Sequence, residues 1–554
     1  MTDDATRPLP LVTAENEFFW RSGADGWLRL QECLSCRALI HPPAPVCRRC
    51  RGRELGVRVV SGRATLSGFT LNQRFSQPGL PAPYVVAEVA LIEDPRVRLT
   101  TTLVECQPEA LHIGDVVEVV FEQVDDVWLP LFRPAIGKSA PADSVLPSDE
   151  IAPERFGEFV RPMVRADKFE DRVALTGVGM SAIGRRLMAQ PLALTMDACA
   201  SAVADAGLTF DDIDGLASYP GAGDMGGFGE GGVTALEAAL GIHPTWHNGG
   251  METFGPGGSV IAAMLAVAAG LARHVLCFRT MWESTHAELI RQQQSQRPSR
   301  GRTSDWGKPF GASSPAHTLA INAQRHFHRY GTTKETLGWI AINQRANAAQ
   351  NPTAIYRAPL TMDDYLNARP ITTPFGLYDC DVPCDGAVAV VVSAREAAYD
   401  MAQPPVLVEA VGTQILEPIT RGQSTLTHEP QVLGQAAHLW TRTTLTPASV
   451  DLAELYDGFT FNCLSWIEAL GFCGIGEAKD FLDKGTNIGS GGLLPLNTHG
   501  GQLSHGRTHG MGLLHEAILQ LRGQAGERQL ADARVAVVST GGLSPSGVML
   551  LRTA

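Results

Sequence analysis

Four cysteines, Cys33, Cys36, Cys47 and Cys50, place the tightest constraint on this 554-residue chain. Their C-x2-C-x10-C-x2-C spacing sets two thiolate pairs on two short knuckles, and four sulfurs can then close as a tetrahedron around one Zn2+. Pro42, Pro43, Pro45 and Gly52 suit the turns that such knuckles need. A four-cysteine set leaves no coordination position for water, so the expected zinc is structural, not catalytic. Four free thiols are the plain alternative. The other seven cysteines are scattered, which suits a reducing compartment, and a cytoplasmic location is expected.

The segment before the cysteines, Glu15 to Leu30, carries Phe18, Phe19, Trp20 and Trp27 and reads as a short amphipathic helix or helix pair. Between Arg21 and Arg63 nine arginines face Asp25, Glu32 and Glu54, a local excess of six positive charges. That excess invites a polyanion such as the phosphates of coenzyme A. A solvated face, or a contact with the acidic remainder of the chain, explains it equally. Five short alternating runs follow, near 62–71, 84–92, 98–104, 115–123 and 128–132, and predict a small barrel of the OB type.

Residues 136–170 hold four prolines and little apolar periodicity, and read as a linker. Beyond Arg172, strand-like runs (173–178, 275–279, 386–393, 406–411, 535–540) alternate with alanine-rich helical stretches. This is an α/β layered pattern. A weak internal repeat lies within it. Leu208, Thr209, Ile213 and Asp214 match Leu445, Thr446, Val450 and Asp451, which suggests a duplicated α/β half. The expected partition is a helix and zinc ribbon over 1–60, a barrel over 61–135, a linker over 136–170, and α/β halves over 171–405 and 406–554.

A net charge of −13 does not suit nucleic-acid binding. The longest apolar stretch, 260–278, is broken by Gly270, Arg273 and His274 and reads as a buried helix and a strand, not a membrane span. The first ten residues do not read as a secretory signal. The polar stretch 282–308 suits a mobile surface loop. The glycine-rich run 221–232 lacks the phosphate-loop pattern.

With CLSC and CRRC, the aromatic lead, YVVAEVAL and HIGDVVEVVF, the first 135 residues resemble the zinc-ribbon and OB-fold accessory domain found beside many thiolase-like proteins. From about residue 172 the chain resembles the thiolase superfamily, in the branch of sterol-carrier-protein-type thiolases and lipid-transfer-like proteins that includes steroid side-chain aldolases. The segments that carry this are FGPGGSVIAAMLAVAAG, CDVPCDGAVAVVVS, ELYDGFTFNCLSWIEALGFC, LPLNTHGGQLSHGRTHG and STGG. The resemblance implies duplicated αβαβα halves, a coenzyme A thioester substrate and a homodimer.

The departures bear on function. Where thiolases open a C-x-x-G segment with their nucleophile, this chain has Phe254, and a phenyl ring cannot form an acyl-thioester. Ser539 and Thr540 precede Gly541 and Gly542 where a second cysteine is expected. Arg507 stands at the active-site histidine of the family, and Tyr456-Asp457-Gly458-Phe459 replaces its H-D-C-F segment. Cys–His covalent catalysis has no pair at these motifs. A tyrosine in the Y-D-x-F segment is what the resemblance to steroid side-chain aldolases implies. Those enzymes cleave a β-hydroxyacyl-CoA and pair with a separate ribbon/OB partner, which here is fused in front. They also place a second tyrosine about where Arg507 stands.

Retro-aldol cleavage needs a base for the β-hydroxyl proton and a group to hold the enolate. Tyr456 is the candidate base, on condition that a cation, Arg507, stabilises its phenolate. A core tyrosine and an arginine that binds phosphate or a neighbouring aspartate are the plain readings. His505 and His509 are candidate acids. Phe254, His499, Gly257, Gly258, Gly541 and Gly542 are candidate substrate contacts, the glycines by letting backbone N–H groups approach a thioester oxygen. Asp457 and Asp385 read as structural. The leading function is a lyase acting on a bulky, steroid-derived β-hydroxyacyl-CoA. Two others stay open: a thiolase-type acyltransferase using Cys384, Cys463 or Cys473, and a non-catalytic acyl-CoA platform that works beside an acyl-CoA hydratase.

Overall fold

Alternating burial, more than helix propensity, shapes the front of the molecule. The computed structural model describes residues 7–75, 77, 79–135, 151–163, 166–221, 226–250, 255–293, 302–418, 422–541 and 547–554. The aromatic lead is helical only over Glu17–Trp20 and turns again at Ser22–Asp25. Gly26 ends it with φ 82°, a left-handed conformation that glycine adopts at no steric cost. The expected helix pair therefore stops short of Leu30. Leu28 and Leu30 alternate with outward residues in a strand, β1 (Leu28–Cys33). It pairs antiparallel with β2 (Leu39–Ile40) and β3 (Leu55–Val60) and carries the first knuckle at its end.

Five strands then close the expected barrel: β4 (Arg63–Asn72), β5 (Tyr84–Leu91), β6 (Arg98–Leu103), β7 (Val116–Val124) and β8 (Val127–Pro134). Their order is β4-β5-β6-β8-β7, and β7 returns to β4 at Ala64 and Val117. Every second residue of β4 points inward, the period of two that a barrel wall requires.

The remainder is built on one nine-stranded sheet. Its strands are β9 (Val173–Met180), β10 (Gly215–Ser218), β11 (Trp246–Gly249), β12 (His274–Trp282), β13 (Asp385–Ala394), β14 (Val406–Gly412), β15 (Leu452–Glu454), β16 (Val535–Thr540) and β17 (Gly547–Thr553). Their order is β11-β10-β12-β13-β9-β14-β17-β16-β15. The order is a near mirror about the β9–β14 seam, as a duplicated α/β half requires. The repeated Leu-Thr and Asp residues have matching jobs. Thr209 and Asp212, like Thr446 and Ser449, cap a single turn. Asp214 accepts from the Arg273 and His274 backbone at the entry of β12, and Asp451 accepts from Arg534 and Val535 at the entry of β16.

Helices cover both faces of the sheet. α1 (Pro191–Asp205) lies so close to β9 that Gly177 and Gly179 meet its backbone, and Gly412 of β14 meets α3 (Val432–Trp440) in the same way. α2 (Gly255–Ala268) and α5 (Met511–Leu521) pack against the sheet and are largely buried, with α4 (Thr460–Ala469) beside them.

The ribbon and barrel are stitched to the α/β part by buried contacts. The Thr70 and Thr372 hydroxyls bond at 2.6 Å, Tyr84 donates to the Gly311 carbonyl at 3.0 Å, and Thr102 donates to the Phe310 carbonyl at 2.9 Å. Trp306 corrects the reading of 282–308 as solvated loop. Glu283–Gln293 is a helix, and Trp306 stacks on Trp20 at 4.7 Å between Phe19 and His41. The middle of that stretch, like all of 136–150 and part of the 221–232 run, lies outside the described residues. Phe156, within the stretch read as linker, is buried in the main core.

A methyl group at Gly179 would collide with the Ala198 carbonyl and the Ala202 nitrogen, backbone atoms that cannot swing aside. Gly179→Ala should lower the unfolding free energy by about 3 kcal/mol. Urea denaturation checks this, and an unchanged midpoint would contradict the packing described.

Candidate active site

Three segments from distant parts of the chain meet at one end of the sheet: Cys380–Cys384, Tyr456–Phe459 and Gln502–His509. The Asp381 N–H donates to the Gly458 carbonyl at 3.0 Å, Val382 donates to Gln502 at 3.0 Å, and Arg507 donates to Val382 at 2.9 Å. Gly501–His505 winds as a π-helical turn, a form enriched at functional sites. The Asp457 carboxylate fixes this turn by accepting from the Gln502 N–H at 2.8 Å, and burial lifts its pKa to about 6. Asp385 accepts from Leu187 and Thr285. Both aspartates thus bind backbone.

Tyr456 is buried, and its backbone N–H donates to the Ser539 hydroxyl at 2.8 Å. Its ring folds over Gly458, where a side chain would strike it. Burial pushes its phenol well up, and the opposing pull of Arg507 is too weak to reverse this. Arg507 has other partners. Its Nε lies 3.0 Å from Asp381 Oδ2, its Nη1 lies 3.1 Å from Glu283 Oε2, and its guanidinium stacks 5.2 Å from the Phe228 ring. Burial alone would lower its pKa, but Asp381 and Glu283 outweigh that and keep it cationic. The phenolate expected at Tyr456 is therefore not what this environment favours. The pocket holds a phenol and a neutralised arginine.

His509 lies beside them. Buried Arg279 donates to the Tyr219 and Phe228 carbonyls and bonds His509 Nδ1 at 2.8 Å. A guanidinium has no acceptor, so Nδ1 accepts and the proton sits on Nε2. Burial, Arg279 and Arg507 push His509 well below its usual range. It is a neutral hydrogen-bond donor and not the cationic acid expected.

The His505 and His499 rings lie elsewhere, edge to face with centroids 5.0 Å apart. His505 Nε2 bonds Thr353 at 3.1 Å, and burial holds the ring neutral. His499 pairs with Glu454 at 3.2 Å, and this pair outweighs burial to raise its pKa. Both belong to an internal polar network. The glycines mostly serve close packing. The Gly257 N–H is spent on Thr540 Oγ1 at 2.9 Å, and a side chain at Gly255 would reach Gly541. Gly258 is buried in the first turn of α2, and Gly541 is buried with φ 82°. Phe254 and Gly542 lie outside the described residues.

Three participants escaped the sequence reading. Asp381 sits inside the CDVPC segment, Glu283 in the stretch read as loop, and Arg279 at the end of an apolar strand. The last carried a signal, since a cation in a buried strand must have a purpose.

Cys384 donates to the Arg507 carbonyl at 3.2 Å, and burial pushes Cys384, Cys463 and Cys473 upward. A nucleophilic thiol needs the opposite shift.

The four ribbon cysteines converge. Cys33 Sγ is 3.5 Å from Cys50 Sγ and Cys36 Sγ is 3.6 Å from Cys47 Sγ, close to the roughly 3.8 Å edge of a zinc–thiolate tetrahedron. The backbone N–H groups of Cys50 and Arg49 draw Cys47 down to about 6. Beside the ribbon, Arg48, Arg49 and Arg96 line a cavity of about 320 Å3 shared with the barrel and with the 416–425 segment.

A further buried cluster lies in the α/β part. Glu468 Oε2 accepts from His428 at 2.8 Å, His326 at 3.1 Å and the Gly476 N–H at 2.9 Å. Burial would raise this carboxyl, but the two histidines hold it well below its usual range.

A model described as "ChsH2, rubredoxin-like zinc ribbon domain" matches residues 20–56, "ChsH2, C-terminal OB-fold domain" matches 57–122, and "Thiolase C-terminal domain-like" matches 420–553. A steroid side-chain-cleaving aldolase of Thermomonospora curvata is 34% identical over 397 residues, covering 68% of this chain and 97% of the relative. A 17-hydroxy-3-oxo-4-pregnene-20-carboxyl-CoA lyase of Mycobacterium tuberculosis is 35% identical over 393 residues, covering 68% and 99%. A solved structure titled "Ltp2-ChsH2(DUF35) aldolase" superposes with a TM-score of 0.61 at 33% identity, covering 69% of this chain and 98% of that one.

A carboxylate whose pKa is lowered on folding stabilises the protein above its unfolded pKa, near 4.3, and loses that contribution as pH falls. Glu468→Gln should therefore cost about 3 kcal/mol at pH 7 and much less at pH 3. Urea titrations at the two pH values test this. An equal cost at both would show that the charge is not what matters.

Proposed function

The chain belongs to the steroid side-chain-cleaving aldolases of the thiolase superfamily, and on that premise we propose that it cleaves a bulky, steroid-derived β-hydroxyacyl-CoA by retro-aldol chemistry. The observation that carries the reading is a buried pocket with a phenol, a neutral histidine and a paired arginine where thiolysis would need a reactive cysteine. The acyltransferase alternative lacks a nucleophile, because burial keeps the thiols of Cys384, Cys463 and Cys473 protonated. A non-catalytic platform has no need of a buried, charge-balanced donor set.

The chemistry assigns roles. In a 17-hydroxy steroid with a 20-carboxyl-CoA side chain, the hydroxyl is β to the thioester. Breaking the C17–C20 bond gives a 17-ketone and propanoyl-CoA. Charge develops on the thioester oxygen, where the Nε2–H of His509 is a donor that costs no proton transfer. Tyr456, held as a phenol, is the acid that protonates the departing α-carbon. Arg507 shapes the pocket through Asp381 and Glu283. Gly257, Gly258 and Gly541 keep the wall beside α2 thin. His499 and His505 brace the turn that carries Arg507.

The four ribbon cysteines would hold one Zn2+, which supplies folding energy and no chemistry. Arg48 and Arg49 are assigned to the phosphates of coenzyme A, since they line an open cavity on an otherwise acidic chain. We further assign a cytoplasmic homodimer, supplied with its hydroxyacyl-CoA by an acyl-CoA hydratase. Among the described residues no helix is long and apolar enough to cross a membrane.

Two measurements bear on this. Tyr456→Phe should keep the fold and the affinity for acyl-CoA but reduce cleavage at least about 100-fold. Full activity in that variant would sink the role given to Tyr456. Elemental analysis should find one zinc per chain, absent from Cys47→Ser, whose ribbon should become sensitive to protease. A metal content unchanged by the substitution would refute the site.

A further inference from the structure

Retro-aldol cleavage needs a base, and neither Tyr456 nor a histidine in this pocket is in the right state to be one. We propose that Asp381 is the base that removes the β-hydroxyl proton, with Arg507 and Glu283 as its positioning residues. The inference rests on the lyase reading above and adds the one group that reading lacks.

The geometry singles out Asp381. Its backbone is tied to Gly458 at 3.0 Å, two residues from Tyr456. Its Oδ2 faces Arg507 Nε at 3.0 Å. Among the described residues, Oδ1 has no hydrogen-bond donor. The side chain is 10% exposed, so it is poorly hydrated yet still reachable. The competitors are committed or sealed from substrate. Both Glu283 oxygens face Arg507 Nη1, at 3.1 and 3.3 Å. Asp457 Oδ1 accepts from the Gln502 N–H, and its unpartnered Oδ2 lies against Gly501 on a side chain with no exposed surface. His509 Nδ1 accepts from Arg279, and His505 is bonded to Thr353.

The surroundings keep the carboxylate usable near neutrality. The groups that face Asp381 are Arg507, Glu283, Asp457 and Tyr456, with the thiols of Cys380 and Cys384 on its own segment. Burial, helped by Glu283 and Asp457, raises it, and Arg507 opposes, leaving it at about 7. A base poised there is partly ionised near neutral pH and basic enough to accept a proton.

The step balances without an oxidant or co-reactant. Asp381 Oδ1 takes the hydroxyl proton, and the O–H electron pair becomes the new carbonyl bond of the ketone. The Cα–Cβ pair moves to the α-carbon and delocalises onto the thioester oxygen. Tyr456 gives its proton to that carbon, and the proton on Asp381 passes to the phenolate, which resets both groups. Arg507, 3.0 Å from Asp381 Oδ2, acts through the carboxylate it orients.

The test uses the full-length chain and 17-hydroxy-3-oxo-4-pregnene-20-carboxyl-CoA, with release of the 17-ketone followed by mass spectrometry. Wild-type kcat/KM should fall below a midpoint near pH 7. Asp381→Asn should lose about 100-fold or more in kcat while binding the substrate analogue without the 17-hydroxyl as wild type does. Asp381→Glu should recover part of the rate with a displaced acid limb. Asp381→Asn that cleaves within about threefold of wild type overturns the assignment. So does loss of analogue binding in step with rate, or a wild-type profile flat between pH 6 and 8, a readout that needs no variant to fold. Wild-type enzyme that releases no ketone refutes the lyase reading itself, and the base with it.

Discussion

A nine-stranded sheet covered on both faces dictates where this molecule can do chemistry. Its inner strands spend their backbone groups on neighbouring strands, and α1 and α3 lie so close that glycines meet backbone at Gly179 and Gly412. No ligand can reach a strand interior. Only the strand ends are open, and there the exits of β12, β15 and β16 and the entry of β13 deliver Glu283, Tyr456, Thr540 and the Cys380–Cys384 segment to one place. The pocket is a consequence of the sheet's closure on all other sides.

Charge organises what the sheet delivers. A buried guanidinium is costly unless paired, and the site holds a buried arginine, Arg279, and a half-buried one, Arg507. Arg507 is answered by Asp381 and Glu283, and Arg279 by carbonyls and by His509 Nδ1. These pairings fix protonation states as well as positions. Arg279 forces His509 into one neutral tautomer, and the acids around Arg507 leave too little of its charge to ionise Tyr456. With Phe254 in the sequence where thiolases carry their nucleophile, the chemistry proposed for the site is proton transfer between fixed partners.

The ribbon and barrel are not loosely tethered additions. Trp306, from the α/β part, stacks on Trp20, and Thr70 and Thr372 bond across the junction. The same chain therefore carries, as one body, a ribbon and barrel of the ChsH2 type and the thiolase-like unit. The arginine-lined cavity lies where the two parts meet.

Local chemistry was legible from the sequence alone wherever a short pattern decides the outcome. Cysteine spacing fixed the ribbon, period-two alternation fixed the five barrel strands, and the repeated Leu-Thr and Asp residues marked the two halves, because a cap or a strand entry needs those groups at those offsets. Family motifs placed Tyr456 and Arg507 at the site. Only the tertiary structure decided what those groups are. A phenol's ionisation depends on burial and on how many acids share its cation, and those acids, Glu283 and Asp381, lie 224 and 126 residues before Arg507 in the chain. His505 and His509 look alike in SHGRTHG, yet one faces Thr353 and the other Arg279. Side-chain direction at a glycine-rich turn is set by the elements that pack against it, and no local pattern records which elements those are.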